Sequence, residues 1–402
     1  MTNAKDLEIS WLEIAEADAI LPEWQTLVTR TNSDVWFSPD WIRPWSRHFA
    51  GKRQMRLLSA RSEGTLVAVL PFVIDTLWPF GVPVRLAQLA GPHPLFGVLA
   101  LPIEKAQLEE VIKKATHDLI TSHRCNCVSL APISDTHGNP EHIEHALASM
   151  SDVIVHPDTC PRAHTIIPLP DSFDDYLSKL SRNRRNKYRK TKRILEEDHN
   201  VTTQLLTGTG AAQALNAFID MHNAQWQEKG RLGHFADWPG SAAFYADFCA
   251  TDSENNSARL YLQRGPTGDA ISALFCFVAG QSCHALVPAR RADPSLPKLD
   301  IGLHAQFERI EHLIGENIRV LDSGAGEYDY KASLKGETVD MHRFLIGRKT
   351  PLGKAKLALL RHYANCLNLL YYRIWFNRMA PKLRKLGLKT GPLWQSWIRS
   401  RV

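Results

Sequence analysis

The chain has 402 residues, 44% hydrophobic and 22% charged, an ordinary globular composition that excludes a disordered or fibrous protein. Its seven cysteines are scattered and form no CxxC pair, which excludes a disulfide scaffold and a finger-type zinc framework. The net charge of +6 conceals a division: residues 341–402 carry 14 Lys and Arg with no Asp or Glu, whereas residues 1–340 carry 34 basic and 42 acidic residues. Any anionic partner is therefore sought locally, not through the overall charge.

The first ten residues lack the basic and apolar regions of a secretory leader. The longest apolar run, Leu66 to Ile74, is broken by Pro71 and is about half a membrane span. The expectation is a soluble, cytoplasmic chain. Leu7 to Ile14 alternates like a strand, and Glu16 to Thr31 has helical spacing. Ser38 followed by Pro39 opens a helix that carries Trp41, Trp45 and Phe49 on one aromatic face. Met55–Ala60 and Thr65–Ile74 form a hairpin across Ser62-Glu63-Gly64. A glycine- and proline-rich stretch runs from Gly81 to Pro102, before a helix (Glu104–Ser122) and a buried strand (Cys127–Pro132).

The second half has the same order of elements. Thr165–Leu169 is a strand, followed by a charged helical segment from Phe173 to Asp198 and a helix from Ala211 to Lys229. Ala258–Gln263, Ile271–Val278 and Ser282–Val287 are successive antiparallel strands, and a helix from Leu299 to Gly315 leads to the strand Ile318–Leu321. The parallel favours two α/β modules, 1–164 and 165–345, with a basic helical tail, 346–402.

Three segments can carry chemistry. Residues 179–193 hold nine basic residues in fifteen, and if the helix is continuous Arg184 fills the apolar stripe of Phe173, Leu177, Leu180, Tyr188 and Leu195. A buried guanidinium needs an anionic or hydrogen-bonding partner, so Arg184 stands out from its neighbours. Residues 289–302 join a strand to a helix, where free N–H groups and the positive dipole end suit phosphate, although without GxGxxG or GxxxxGK(S/T) the bare pattern fits an ordinary loop better. Residues 321–331 place Asp322, two glycines, Tyr330 and Lys331 at the carboxyl end of a strand, the usual ligand position in α/β proteins. His284 reads either as a core histidine or as a base.

The segments FSPDWIRPW, LSRNRRNKYRKTKR and LDSGAGEYDYKASLKGE, in this order, resemble the GNAT-superfamily acyltransferases of the CelD/cellulose-biosynthesis type, relatives of the FemAB peptidoglycan enzymes. The resemblance spans roughly residues 5–345 and is most specific at Asp322, Gly326, Tyr330 and Lys331. It implies two tandem GNAT-like modules with mixed sheets, and an acyl-CoA-dependent (acetyl-CoA or another) N- or O-acyltransferase. The acceptor it implies is a small molecule or glycan: a sugar, polysaccharide precursor or cell-envelope metabolite. It places the CoA pyrophosphate on Pro297, Lys298, Leu299, Asp300, Ile301 and Gly302, of which only Gly302 matches the usual glycine pattern. By position and residue type alone, Asp322 would orient or deprotonate the acceptor, Tyr330 would serve the leaving thiolate or the carbonyl, and Lys331 would offset negative charge on CoA or the intermediate. Arg184, Tyr188, Trp226, His284 and Trp41 are the substrate-binding candidates, and no metal is implied. Two alternatives stand beside it: a FemAB-like transferase taking aminoacyl-tRNA, the one case involving nucleic acid, and an inactive GNAT-like binding module.

In the tail, Leu352–Met379 reads as a helix with Leu360, Tyr363, Leu367, Leu370 and Ile374 on one stripe, widened by Tyr371, Trp375 and Phe376. Basic flanks without acidic counterweight suit the inner face of a membrane or an acidic partner over residues 350–402. The competing expectation is that the stripe packs on the acidic body.

Overall fold

Alternating apolar residues form β1 (Leu7–Leu12). The computed structural model describes residues 7–92, 96–228, 230–231, 233–237, 240–251, 257–291 and 299–388. After α1 (Leu21–Arg30) comes α2 (Pro39–Trp45), where the Trp41 N–H donates to the Ser38 hydroxyl and Pro39 takes the first helical position. β2 (Gln54–Ser62), β3 (Thr65–Leu77) and β4 (Val84–Leu89) form an antiparallel meander, with β1 on its outer edge. α3 (Leu108–Thr121) crosses over and returns the chain as β5 (Cys127–Ser134), parallel to β4. α4 (Asn139–Ala148) and the long β6 (Val153–Pro168) follow.

The chain divides into two compact units, Met1–Ala163 with Val339–Val402, and His164–Thr338, so it enters the second unit within β6. That unit begins with α5 (Phe173–Lys179) and α6 (Arg182–Arg193), then β7 (Thr202–Thr207), α7 (Gly208–Gln227), α8 (His234–Asp237) and α9 (Ser241–Thr251). β8 (Ala258–Arg264), β9 (Ala270–Ala279) and β10 (Ser282–Arg290) continue from β7 as antiparallel neighbours. α10 (Ile301–Gly315) crosses over to β11 (Val320–Ala325), which is parallel to β10 and antiparallel to β6. The short α11 (Asp329–Ser333) ends the unit.

Each unit is therefore an antiparallel meander closed by a helical crossover and one parallel pair, β4/β5 in the first and β10/β11 in the second. The fold class is α/β with mixed sheets, as read from the order of elements. The separate cores match: Phe72, Val111, Leu119 and Val128 lie in the first, Tyr188, Phe307, Leu313 and Leu321 in the second.

Four details differ from the sequence reading. β4 lies inside the glycine- and proline-rich stretch, and β7 had no place in the element order; both are six-residue strands whose weak alternation is outweighed by their ladder bonds. The segment 173–198 is not one helix, because Leu180 is extended and Ser181 caps a new start at α6. The boundary at 345 is displaced, because β12 (Glu337–Arg348) pairs Met341–Gly347 with β5 of the first unit. The tail is not a separate body: α12 (Pro351–Leu367), a π-helical stretch (Asn368–Met379) and α13 (Ala380–Lys385) belong to that same unit.

The anchor of the tail is apolar. Leu357 and Leu360 are fully buried with Leu77, Val84, Leu86, Cys127 and Leu345. Leu357→Ala and Leu360→Ala should each cost ~2–5 kcal/mol of unfolding free energy, since a buried leucine leaves a cavity. Urea melts checking this should show losses well above those of Leu352→Ala, whose side chain is 67% exposed.

Candidate active site

β11 is flanked by β10 and β6, and each neighbour delivers a histidine to Asp322. His284 is directly opposite Asp322 in the parallel register, while His164 lies beyond a register shift between Asp322 and Ala325. All three side chains are buried: Asp322 and His284 completely, His164 to 1% exposure. An ionised carboxylate only accepts hydrogen bonds, so His164 Nε2–H donates to Oδ1 at 2.5 Å and His284 Nδ1–H donates to Oδ2 at 3.0 Å. The Gly324 N–H adds a third bond to Oδ1 at 2.8 Å. Burial alone raises the Asp322 carboxyl, but the charge and hydrogen bond of His164, then those of His284, outweigh it and hold the group well below the ordinary carboxylate range. Asp322 is thus a fixed anion that orients two imidazoles. A ring in its neutral form keeps a lone pair on its other nitrogen, the atom type a general base needs.

The loop after Asp322 is held from below by Lys331. Its buried ammonium donates to the carbonyls of Gly324, Ala325 and Gly326, each at 2.9 Å. Burial draws this group down to about 8, against the opposing charge of Asp322. Three N–H groups spent on three carbonyls leave no donor for a ligand, so the expected role of offsetting charge on CoA does not fit; Lys331 positions the loop. Gly326 has φ +86° and a Cβ there would stand 2.9 Å from the Tyr328 ring, so the excursion requires glycine. Tyr330 is 48% exposed and stacks at 6.1 Å on Tyr328. Of the three expected catalytic residues it alone presents its side chain to solvent.

The other candidates are dispersed. Trp41 is fully buried in the first unit, donating from Nε1 to the Gly91 carbonyl at 2.9 Å and packing on Trp36, so it supports the fold and does not meet substrate. Tyr188 is buried with its ring 4.4 Å from Phe307, a core position that overturns its reading as a substrate contact. The break at Ser181 shifts the helix phase and leaves Arg184 half-buried; it is Arg185 that turns inward, donating to the carbonyls of Leu177, Ser178 and Leu180. The buried guanidinium of α10 belongs to Arg309. Trp226 is half-buried, with Arg231 over its ring at 5.5 Å and His222 and His234 beside it. His222 in turn donates from Nδ1 to the Pro288 carbonyl of β10.

The supposed phosphate loop is only partly described; Pro297 and Lys298 lie outside the described residues. Asp300 caps α10, its Oδ1 accepting from the Leu303 N–H and its Oδ2 facing Lys187 at 3.4 Å. Leu299 and Ile301 pack on Leu195, Val201 and Ile271, and Gly302 has open space where a Cβ would be. A helix start already capped by a carboxylate is a poorer anion site than an uncapped one. One turn on, Glu196, His304 and Glu308 bring ligand-type atoms within 4.8 Å of one another. Lys192 supplies the cation there, donating to Glu308 at 3.1 Å and Glu311 at 3.4 Å. Burial and Lys192 push the His304 imidazole down to about 4. This makes Lys192 a network residue rather than a solvated neighbour of Arg184.

Sequence reading singled out Asp322 and His284 but passed over His164, which is 158 residues from Asp322 and carries no motif.

Residues 182–332 match the family model described as an acetyltransferase (GNAT) domain. No curated protein matches the chain. Among solved structures, FemX is similar with a TM-score of 0.59 and 11% identity, covering 83% of this chain and 96% of that one. The C-terminal domain (DUF2156) of a putative lysylphosphatidylglycerol synthetase from Agrobacterium fabrum aligns with a TM-score of 0.50 and 12% identity over 88% and 97% of the two chains. L-PGS from Bacillus licheniformis gives 0.50 and 11% over 85% and 96%. At such identities the likeness is one of fold.

Two outcomes follow from this geometry. Because Asp322 titrates lower folded than unfolded, the stability it contributes is in place above pH ~4 and is lost as the pH falls below that value. Asp322→Asn should cost ~3–5 kcal/mol at pH 7, and its deficit against the parent should narrow in urea melts at pH 3; an unchanged deficit counts against an ionised clamp. In α6, Arg185→Ala should destabilise by ~1–3 kcal/mol, because three carbonyls lose a donor, and more than Arg184→Ala does. Thermal melts of the two variants decide the order.

Proposed function

Since this chain carries an acyltransferase domain of the GNAT type across residues 182–332, we propose that it moves an acyl group from an acyl-CoA, acetyl-CoA being the simplest, to the nitrogen or oxygen of a sugar, polysaccharide precursor or cell-envelope metabolite. The observation that carries this reading is the clamp of His164 and His284 on buried Asp322 at the carboxyl end of β11. Acyl transfer needs a base that takes a proton as the acceptor attacks the thioester carbonyl, with C–N or C–O bond formation followed by C–S cleavage. An imidazole oriented by a fixed carboxylate supplies that base. The developing oxyanion needs a donor, and the departing thiolate needs a proton. Tyr330, exposed beside this strand end, is the phenol placed for either task. The bulge between Ala285 and Val287 on β10 interrupts the ladder beside His284, a device that re-aims backbone groups next to sites.

A second reading has its own support. Asp300 occupies the helix start at which the resemblance puts the CoA pyrophosphate, while α6 presents Arg182, Arg189, Lys190 and Arg193 to solvent. A basic helix with a blocked phosphate cradle suits a polyanionic donor, an aminoacyl-tRNA. The names of the similar structures include a lysylphosphatidylglycerol synthetase, which is in keeping with aminoacyl transfer.

Purified full chain with acetyl-CoA and a panel of amines, alcohols and amino sugars should release free thiol. His284→Ala and His164→Ala should lower kcat by ~10²–10⁴, the range of a lost general base, with KM for the donor little changed. If calorimetry finds no CoA binding at millimolar ligand, and tRNA binds with an affinity that drops steeply with salt, the second reading replaces the first.

A further inference from the structure

The acyl-transfer reading leaves unused a surface on the first unit, where the β3–β4 connection meets the C-terminal helices. Trp78, Phe80 and Val82 stand in that short connection, exposed by 62%, 59% and 40%. Phe80 has φ 49° and ψ 35°, a left-handed conformation that bulky residues rarely adopt, so backbone strain accompanies a ring held in water. The Phe80 ring lies 5.8 Å from His362 and 5.7 Å from Tyr363 of α12. The π-helical stretch Asn368–Met379 continues α12 directly. Leu369, Leu370 and Ile374 are all exposed.

Packing within the unit does not account for these side chains. The tail's attachment is made by Leu357 and Leu360, so of the expected stripe Leu360 is buried, Tyr363 and Leu367 are half-buried, and Leu370 and Ile374 are exposed. A single exposed leucine calls for no explanation, whereas aromatic and aliphatic groups gathered on touching elements mark an interaction surface. Charge identifies what it meets. Arg373, Arg378, Lys382 and Lys385 are exposed among these groups, and residues 341–402 contain no Asp or Glu. Apolar side chains rimmed by uncompensated cations complement a surface with anionic headgroups outside and hydrocarbon beneath. Tryptophan and phenylalanine at the tip match the amphipathic depth of that boundary. Among the described residues no helix is long and apolar enough to cross a membrane, so the contact is peripheral.

We propose that this face docks the protein on an anionic lipid bilayer, Trp78 and Phe80 entering the headgroup region and Leu369, Leu370 and Ile374 lying against the acyl boundary. The binding is reversible and combines a salt-sensitive and a salt-resistant part, because exposed cations are screened and apolar burial is not.

Flotation of the full chain with phosphatidylcholine vesicles, with and without phosphatidylglycerol, tests this. The parent should float only with the anionic vesicles and weaken as salt rises to ~1 M, where the Debye length is ~3 Å. The Trp78→Ser/Phe80→Ser and Arg373→Glu/Arg378→Glu variants should each bind ~10-fold or more weakly, with unchanged circular dichroism and thermal melts, since neither pair belongs to a buried core. The proposal is overturned if the parent stays in the soluble fraction at low salt, or if both folded variants float like the parent. It is also overturned if the aromatic pair abolishes a dimer seen by sedimentation while flotation persists, which assigns the face to a second copy. Loss of tRNA binding in the arginine variant with flotation intact assigns the cations to nucleic acid and equally removes it.

Discussion

An ionised carboxylate out of reach of water is the constraint on which the second unit is organised. Moving such a charge from water into a protein interior costs several kcal/mol unless donors replace the lost hydration. Asp322 receives them from three directions: β6 through His164, β10 through His284, and its own chain through Gly324. Each donor is useful only if its strand stands in register, so the clamp ties the alignment of β6, β11 and β10 to one atom group. Gly324 then connects this anion to the only other strongly buried charge of the loop, donating its N–H to Asp322 and offering its carbonyl to Lys331. A negative and a positive group thus hold the two backbone polar groups of one residue without touching each other. The two hydrogen bonds to the carboxylate fix the orientation of each ring and the nitrogen that carries a proton towards Asp322.

At the start of α10 the electrostatics are of the opposite kind. There the charges are half-exposed and mutually compensating: Asp300 with Lys187, and Lys192 among Glu196, Glu308 and Glu311. Although burial opposes it, the bond to Glu308 and the surrounding carboxylates hold Lys192 firmly in its charged form. The helix dipole favours an anion at this end, and the Asp300 carboxylate already takes that place, which leaves a surrounding better suited to a basic side chain such as Lys187 than to a pyrophosphate. The two sites thus differ in kind: a rigid buried clamp at the end of β11 and a half-exposed, mutually compensated cluster at the start of α10.

The first unit uses the same chain order for another end. Its crossover and parallel pair have no buried acid–histidine clamp at the corresponding place among the described residues; Cys127 and Val128 of β5 pair with Leu86 and Ala87 of β4. Its polar anchoring lies instead in loops, as where Asp34 accepts from the Leu99 and Ala100 N–H groups. Similar topology therefore holds a buried acid–histidine clamp in one unit and a platform for the C-terminal helices in the other.

Much of this architecture was legible in the residues. Alternation and helical periodicity marked nine of the twelve strands among the described residues, all but β4, β7 and β12, and the two crossover helices, because these elements bury one face and must repeat at period two or near 3.6. Asp322, the two glycines and Lys331 were legible as a site because charge, turn residues and a strand end coincide within ten positions. β4 and β7 were not, since a six-residue strand with little alternation owes its existence to the neighbours that bond to it. The fate of Arg184 was settled by a cap at Ser181, a local competition between helix continuation and a hydroxyl that a stripe count does not register. Lys331 was read as a ligand-facing cation and is instead an internal one, because whether an ammonium meets carbonyls or solvent depends on the path of the loop. His164 shows the limit most clearly: its partner lies 158 residues away, and only the placement of β6 beside β11 brings the two together. The sequence by itself determined the element order, the charge division and the acid at the strand end, all of which follow from nearest neighbours along the chain. Tertiary structure decided which charges are buried and what satisfies them, since burial is a property of the packed strands and not of any residue alone.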